Sequence, residues 1–449
     1  MEKNHPGFNS DIKDPNQSQY KAFVQSLESK MQEDISDKYC LAYLKQYLRY
    51  LKDHHINIRA SFQPVKEDSL ADVERFFKSL TYLSTEKKQL DSTTIVTYLQ
   101  SLSNPTIEGI YKTPDNVYTI ALIKDQTNTR DYAGIILASA TKLWQPGHIK
   151  FEIKQVNDST LDVFMFLRNH SLEYNQLSYN KQNFQIPGWI KIFPQSSNQS
   201  TEKLSTDIFS FSLLDSNTAY ISMRSFSGQY STMLDSAYRA VMPEIQKRKY
   251  LIIDVRNNGG GSDGNYKALM PLIATGPVTH DVVDLYATPD NISAYQKMRD
   301  LYKSKPEVYG KNGFMSWQPH MEKMQKTQPF TFIPMMSDKP GVTRYKPHKG
   351  YPERVAIIYN RNCASACESL LFEARFSDKV VTVGENSGGY TGYGNVMDIT
   401  TPCGRTLSWT TTRYRNQRQF DFTGIPPKHY VPESESNWIE YTQKLLSSF

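Results

Sequence analysis

Three short stretches of this chain, Tyr250–Val255, Arg354–Tyr359 and Lys379–Val383, are dominated by consecutive apolar residues rather than alternating ones. A strand that is apolar on both faces has to be covered on both, which is the habit of parallel sheets. An amphipathic helix at Ser231–Lys247 separates a strand at Thr218–Met223 from the first stretch, and a helix over about 365–376 separates the second from the third. Strand, helix and strand in succession predict a parallel sheet with crossover helices. Ligands of such sheets sit at the carboxyl ends of the strands, so the loops that leave these stretches are where chemistry is expected.

The rest of the 449 residues reads differently. At roughly 100–200 residues per domain the length allows two to four domains. Residues 20–55 carry a helical stripe through Leu41, Leu44, Leu48 and Leu51 which, continued one more turn, reaches His55. A second helical stretch covers about 66–100. From Gly109 to about Ile192 short β-like runs alternate with turn residues, and the polar stretch Gln195–Thr206 reads as a linker. Residues 276–350 show no readable pattern. The division is a helical region over 1–104, an all-β module over 105–200 and an α/β core over 201–449.

Composition removes several function classes. With 29 Tyr and 21 Phe the chain is neither disordered nor low-complexity. The net charge of +6 is a small surplus of 52 Lys and Arg over 46 Asp and Glu, with no polybasic arm, so no nucleic-acid partner is expected. No run of about 18 apolar residues exists to span a bilayer. Met1–Gln19 is polar and lacks the apolar core of a signal peptide, so the chain reads as cytosolic or as a mature form whose leader is absent. Four cysteines cannot form a disulfide framework for this length, and Cys363 and Cys367 read as small core residues. No His/Cys motif has metal-ligand spacing, so neither metal nor cofactor is expected.

Four loops carry candidate chemistry. Asn362-Cys363-Ala364-Ser365-Ala366-Cys367-Glu368 sets Ser365 at a helix N-terminus, where free N–H groups and the helix dipole suit a developing oxyanion. Ser365-x-x-Glu368 equally fits a capping box, and a cysteine nucleophile at Cys363 or Cys367 is a less favoured third reading. Asp254-Val255-Arg256-Asn257-Asn258-Gly259-Gly260-Gly261 can bring backbone N–H groups close to an anion, or form a plain tight turn. Asp53-His54-His55 ends the N-terminal helical stretch. Gly384-Glu385-Asn386-Ser387-Gly388-Gly389-Tyr390 and Asp421 bring two carboxylates, either able to orient a histidine.

Together, LIIDVRNNGGG (251–261), VAIIYNRNCASACE (355–368), VTVGENSGG (381–389) and FTGIPP (422–427), with DHHINI (53–58) upstream, resemble in order the tail-specific, or carboxy-terminal processing, serine proteases. The resemblance implies an α/β core of the caseinolytic-protease and crotonase type carrying a serine endopeptidase that acts on peptides or protein tails. It puts the nucleophile at Ser365 and the oxyanion donors at Ala366 N–H and one of Gly260 or Gly261. The Ser-Lys branch has a lysine where this chain has Tyr390, and a phenol is a poor base. The tricorn-like branch instead takes a histidine base from the N-terminal part, here His55, and an acid near the carboxyl end, here Asp421. Glu368, Glu385 and His54 are supporting candidates. Family members often carry a PDZ domain where residues 105–200 look like a different all-β insert. Relatives are commonly exported, which favours an extracytoplasmic site of action. A catalytically silent binding protein on the same fold is the competing reading.

Overall fold

Six strands form the central sheet, in the spatial order Phe209–Leu213, Thr218–Met223, Tyr250–Asp254, Arg354–Tyr359, Val380–Gly384 and His429–Tyr430. The structure is a computed structural model that describes all residues except 10–13, 15–16, 34–36, 61–63, 90–91, 103–105, 128–129, 159, 179–185, 187, 195–206, 347, 433 and 449. Only the first pair of strands is antiparallel; the other four pairings are parallel. Spatial order follows chain order, so successive crossovers stack on one face. There the helices Ser231–Ile245 and Ala366–Ala374 pack Leu234, Tyr238, Leu370 and Leu371 onto Leu251, Ile253, Val355 and Ile357. On the opposite face Ile252, Ala356 and Ile358 lie under Leu446 of the helix Trp438–Ser447. Cover on both sides is why these strands read as continuous apolar runs.

The stretch 276–350, unreadable in sequence, contains strands and helices of its own. Val283–Ala287 and Thr331–Pro334 join the hairpin Tyr393–Thr400 and Arg405–Tyr414 and the short strand Asn57–Ala60 in a second, five-stranded sheet, antiparallel throughout. The helix Pro289–Ser304 packs against it through Ala294 and Tyr295. Its start is a Thr-Pro signal: Thr288 accepts a hydrogen bond from Asn291 N, and proline opens the first turn. The strands were obscured because they lie far apart in the chain and mix polar with apolar residues.

The N-terminal region differs from a single helix over 20–55. Gln17–Glu33 and Asp37–Tyr50 are separate helices, and Leu41, Leu48 and Leu51 are buried as the stripe predicts. The second helix stops at Tyr50, and Lys52 takes φ 49°. His55 therefore lies off the helix, in the turn that feeds Asn57–Ala60, and the helical stripe does not extend to it. The stretch 66–100 breaks into Leu70–Phe77, Leu80–Leu83 and Ser92–Ser101, with Ser69 and Ser79 capping the first two. Leu70, Leu80 and Leu83 are exposed rather than part of a continuous stripe. The polar N-terminal segment is not loose: Asn4, His5 and Phe8 are buried.

Between this region and the core lies a seven-stranded antiparallel sheet, running from Gly109–Lys112 to Ile190–Phe193 around Tyr111, Trp144 and Phe151. The expected linker Gln195–Thr206 lies outside the described residues. Among the described residues no helix is long and apolar enough to cross a membrane.

Candidate functional site

Three loops leave the carboxyl edge of the central sheet side by side, after Asp254, Tyr359 and Gly384. The first is rooted by the buried Asp254 carboxylate, which accepts from Tyr220 Oη at 2.8 Å and Arg256 Nη2 at 2.7 Å. Burial opposes its ionisation, yet the Arg256 and Arg224 guanidinium groups and these hydrogen bonds hold it below the usual carboxylate range. From this root the chain runs into Asn258 and the three glycines.

The second loop carries Ser365 in a sharp turn, at φ 56° and ψ −120°, just before the helix Ala366–Ala374. A non-glycine residue there costs on the order of 1–3 kcal/mol and persists only where its surroundings dictate it. Several contacts do so. Ala364 N donates to Asn258 O at 3.1 Å and Gly388 N donates to Cys363 O at 2.8 Å. Gly260, at φ +90°, backs the turn so closely that a Cβ would sit 2.4 Å from Ala364 O and 2.9 Å from Ser365 Cβ. Cys363 and Cys367 lie in the core as expected and are in addition joined by a disulfide that brackets the serine. Both are fully buried, and four residues apart they meet across the first helical turn.

Ser365 and Glu368 form the expected capping box, in which Glu368 accepts from Ser365 N at 3.0 Å. The same carboxylate accepts from Ser387 Oγ at 2.6 Å, Gly389 N at 2.8 Å and Tyr390 N at 2.8 Å. It ties the third loop to the serine turn. Burial raises its pKa, with these hydrogen bonds opposing the shift.

Backbone donors around the turn divide clearly. Gly260 N is already committed, donating to Asn258 Oδ1 at 2.9 Å. Gly261, at φ +139°, bridges Phe226, where a Cβ would lie 2.2 Å from Phe226 O. Gly261 N and Ala366 N have no hydrogen-bond acceptor among the described residues. Of the two expected glycine donors, Gly261 is the one left open.

The histidine side comes from the turn at residues 53–55. Asp53 Oδ1 accepts from His55 N at 2.9 Å and lies 3.2 Å from His55 Nδ1. Its other oxygen accepts from Thr410 Oγ1 at 2.7 Å and lies 3.2 Å from His5 Nε2. Burial penalises the charge, but the hydrogen bonds from His5 and His55 outweigh it and hold the Asp53 carboxyl well below its ordinary range. With Nδ1 against a carboxylate, the imidazole proton belongs on Nδ1, which leaves a lone pair on Nε2. That Nε2 is buried and has no hydrogen-bond partner.

Two chains of contact join this turn to the serine turn. The Tyr390 ring meets the His55 ring edge-on at 5.1 Å, and its backbone shares the Glu368 carboxylate with Ser365 N. His54 Nδ1 lies 3.3 Å from Gly388 O, and Gly388 N bonds Cys363 O. His54 itself packs on Phe422 at 4.0 Å, and burial lowers its pKa.

The carboxylate on His55 is thus Asp53, not Asp421 as the family resemblance suggests. Asp421 accepts from Thr391 N, Thr391 Oγ1 and Gly392 N at 3.2, 2.8 and 2.6 Å and so pins the loop after Tyr390. Glu385 faces Arg361 at 3.6 Å and stays at the surface. The sequence did hold a signal for Asp53, an Asp two residues before a His, which suits an Asp side chain turning back on the backbone. For His5 and Thr410 no local signal exists. Among the described residues no group of three or more His, Cys, Asp or Glu side chains could hold a metal ion.

Residues 217–431 match the model of Peptidase family S41. Among solved structures the chain is similar to a protein described as a peptidase from Parabacteroides merdae ATCC 43184, at 20 % identity over 55 % of this chain and 66 % of that one, TM-score 0.35. It is also similar to mature CPAF, at 12 % identity over 95 % of this chain and 90 % of that one, TM-score 0.46. A third is described as an S41 protease from Bacteroides fragilis NCTC 9343, at 13 % identity over 86 % and 99 %, TM-score 0.34. No curated protein matches the chain.

Proposed function

We propose, from the match of residues 217–431 to Peptidase family S41, that the chain is a serine endopeptidase acting on peptides or proteins, with Ser365 as nucleophile, His55 as general base and Asp53 as the acid that orients it. The observation that carries this reading is the His55 ring, fixed on Asp53 through Nδ1 and presenting a buried, unpartnered Nε2. A buried nitrogen without a partner costs roughly 1–3 kcal/mol, a cost that a base awaiting a proton explains.

In the reaction His55 Nε2 takes the Ser365 hydroxyl proton as Oγ attacks the peptide carbonyl, then returns it to the leaving amine. Free enzymes often hold such a pair apart until substrate closes the site. The Asp53 carboxylate stabilises the imidazolium. Gly261 N and Ala366 N receive the tetrahedral oxyanion, each such donor contributing about 3–4 kcal/mol in enzymes where one has been removed. Tyr390 is no substitute for a lysine base. Burial and the neighbouring Glu368 and Asp53 charges raise its pKa, so the phenol stays protonated at neutral pH. The disulfide at Cys363–Cys367 supports action in an oxidising, extracytoplasmic compartment.

Casein hydrolysis by wild type and Ser365→Ala tests the assignment. Activity lost in a variant with unchanged melting temperature is the expected result. Equal activity in the two removes Ser365 as nucleophile, and an inert wild type favours a silent binding protein on this fold.

A further inference from the structure

We infer that His5 is a positioning residue for catalysis, holding the far side of the Asp53 carboxylate so that its near side stays aligned with His55; the inference rests on the reading of His55 as base. The N-terminal segment looked inert in sequence, yet His5 is 2 % exposed and its Nε2 lies 3.2 Å from Asp53 Oδ2. Its protonation follows from its other nitrogen. Gly7 N donates to His5 Nδ1 at 3.2 Å, so Nδ1 carries no proton and Nε2 carries it. His5 is therefore a neutral imidazole donating one hydrogen bond to a charged carboxylate. A protonated His5 would set two N–H groups against each other at Nδ1.

The segment is anchored on both sides of His5. Asn4 Nδ2 donates to Asp290 Oδ2 at 2.7 Å, Asn4 Oδ1 accepts from Thr288 Oγ1 at 2.9 Å and Asn4 O accepts from Asn291 Nδ2 at 3.0 Å. These partners open the helix Pro289–Ser304. On the other side Phe8 is buried with Leu41, Leu48 and Leu51 of the helical region. The His5 ring itself lies 4.7 Å from that of Tyr393. A segment tied to the helical region and to the second sheet thus delivers one donor to one carboxylate oxygen.

The consequence is rotational. Asp53 Oδ1 receives both His55 donors, and Oδ2 receives His5 and Thr410. Without the Oδ2 partners the carboxylate is free to turn about its Cβ–Cγ bond and leave His55 Nδ1. In metal sites, partners that orient a ligand from behind matter by about 10–100-fold, and an effect of that order is expected here.

The test is inactivation by a fluorophosphonate, which separates the maximal rate kinact from the apparent binding constant KI, in full-length His5→Phe, His5→Gln and His55→Ala, with melting temperatures alongside. Phenylalanine keeps a ring beside Tyr393 and removes the donor; glutamine restores an N–H. The expected result is a kinact at least tenfold lower in His5→Phe with KI unchanged, and recovery to within about threefold of wild type in His5→Gln, as restoring an outer partner should give. A wild-type kinact in His5→Phe, or equal impairment in both His5 variants, overturns the inference. If His5→Phe does not fold, Asn4→Ala decides, since it removes the two side-chain bonds that anchor the segment and lets the intact His5 shift away from Asp53. A lower kinact at unchanged KI supports the role, and an unchanged kinact overturns it. Labelling that survives in His55→Ala discards the base assignment itself, whereas loss there with full activity in His5→Phe discards only the role of His5.

Discussion

The serine side of the site is a strained turn packed against the loops of neighbouring strands, whereas the histidine side is gathered around one carboxylate shared by residues from distant parts of the chain. Ser365 is held by a disulfide between its second neighbours, by Glu368 three residues on, and by loops leaving adjacent parallel strands. His55 is held by Asp53, but Asp53 is in turn held by His5, 48 residues away, and by Thr410, 357 residues away on the second sheet. Strained backbone fixes the first and long-range hydrogen bonding fixes the second. Damage to the serine side should therefore act through geometry, and damage to the histidine side through charge and alignment.

Asp53→Asn attacks the histidine side most strongly. Loss of an equivalent acid lowers kcat by roughly 10⁴-fold elsewhere, and a similar loss is expected here in casein turnover. A pH signature accompanies it. The folded-state pKa of Asp53 is depressed, so its charge contributes stability above the unfolded value of about 3.9, and that contribution is lost as pH falls through the folded value. The stability difference between wild type and Asp53→Asn should shrink as pH falls below about 4. A difference that does not shrink there contradicts the assignment.

Gly260→Ala attacks the serine side alone. The added Cβ meets the Ala364 carbonyl oxygen at 2.4 Å in a backbone of φ +90°, so the turn has to move. A displacement near 1 Å lowers turnover by about 100-fold, with the His55–Asp53 pair untouched. A smaller effect follows from the disulfide. Cys363→Ala/Cys367→Ala should cost about 2 kcal/mol of stability, as expected for a short closed loop. Its kcat should fall roughly tenfold as the turn relaxes, less than at Gly260 because backbone contacts remain. Equal kcat at lower melting temperature would make the bridge purely structural. Smallest is Thr410→Val, which removes one of four bonds to Asp53; a kcat lower by about threefold, near the net value of one hydrogen bond, is expected. Were it as damaging as Asp53→Asn, the alignment would rest on Thr410 rather than on the shared set.

The same contrast explains what could be read from sequence. The central strands and the turn that carries Ser365 were legible because their signals are local: consecutive apolar residues, glycines after a strand, a small-residue turn before a helix. That Gly260 N is spent on Asn258, while Gly261 N is not, could be seen only in the structure. The helical stripe placed Leu41, Leu48 and Leu51 inside but could not show that the helix ends at Tyr50, since a β-strand pairing with residues 405–408 takes the chain over soon after. Asp53 was visible as a neighbour of His55 and Asp421 was favoured by resemblance, and only packing distinguishes them. His5 had no local signal at all. A polar terminal segment gains its meaning from what it is buried against.

The most direct measurement is fluorophosphonate labelling of wild type and His55→Ala, with the modified residue mapped by peptide mass spectrometry. A base drawn from residue 55 predicts label on Ser365 in the wild type and a rate lower by roughly 10⁶-fold, effectively none, in His55→Ala. Label on Ser365 at equal rates in both proteins would contradict it and place the base elsewhere.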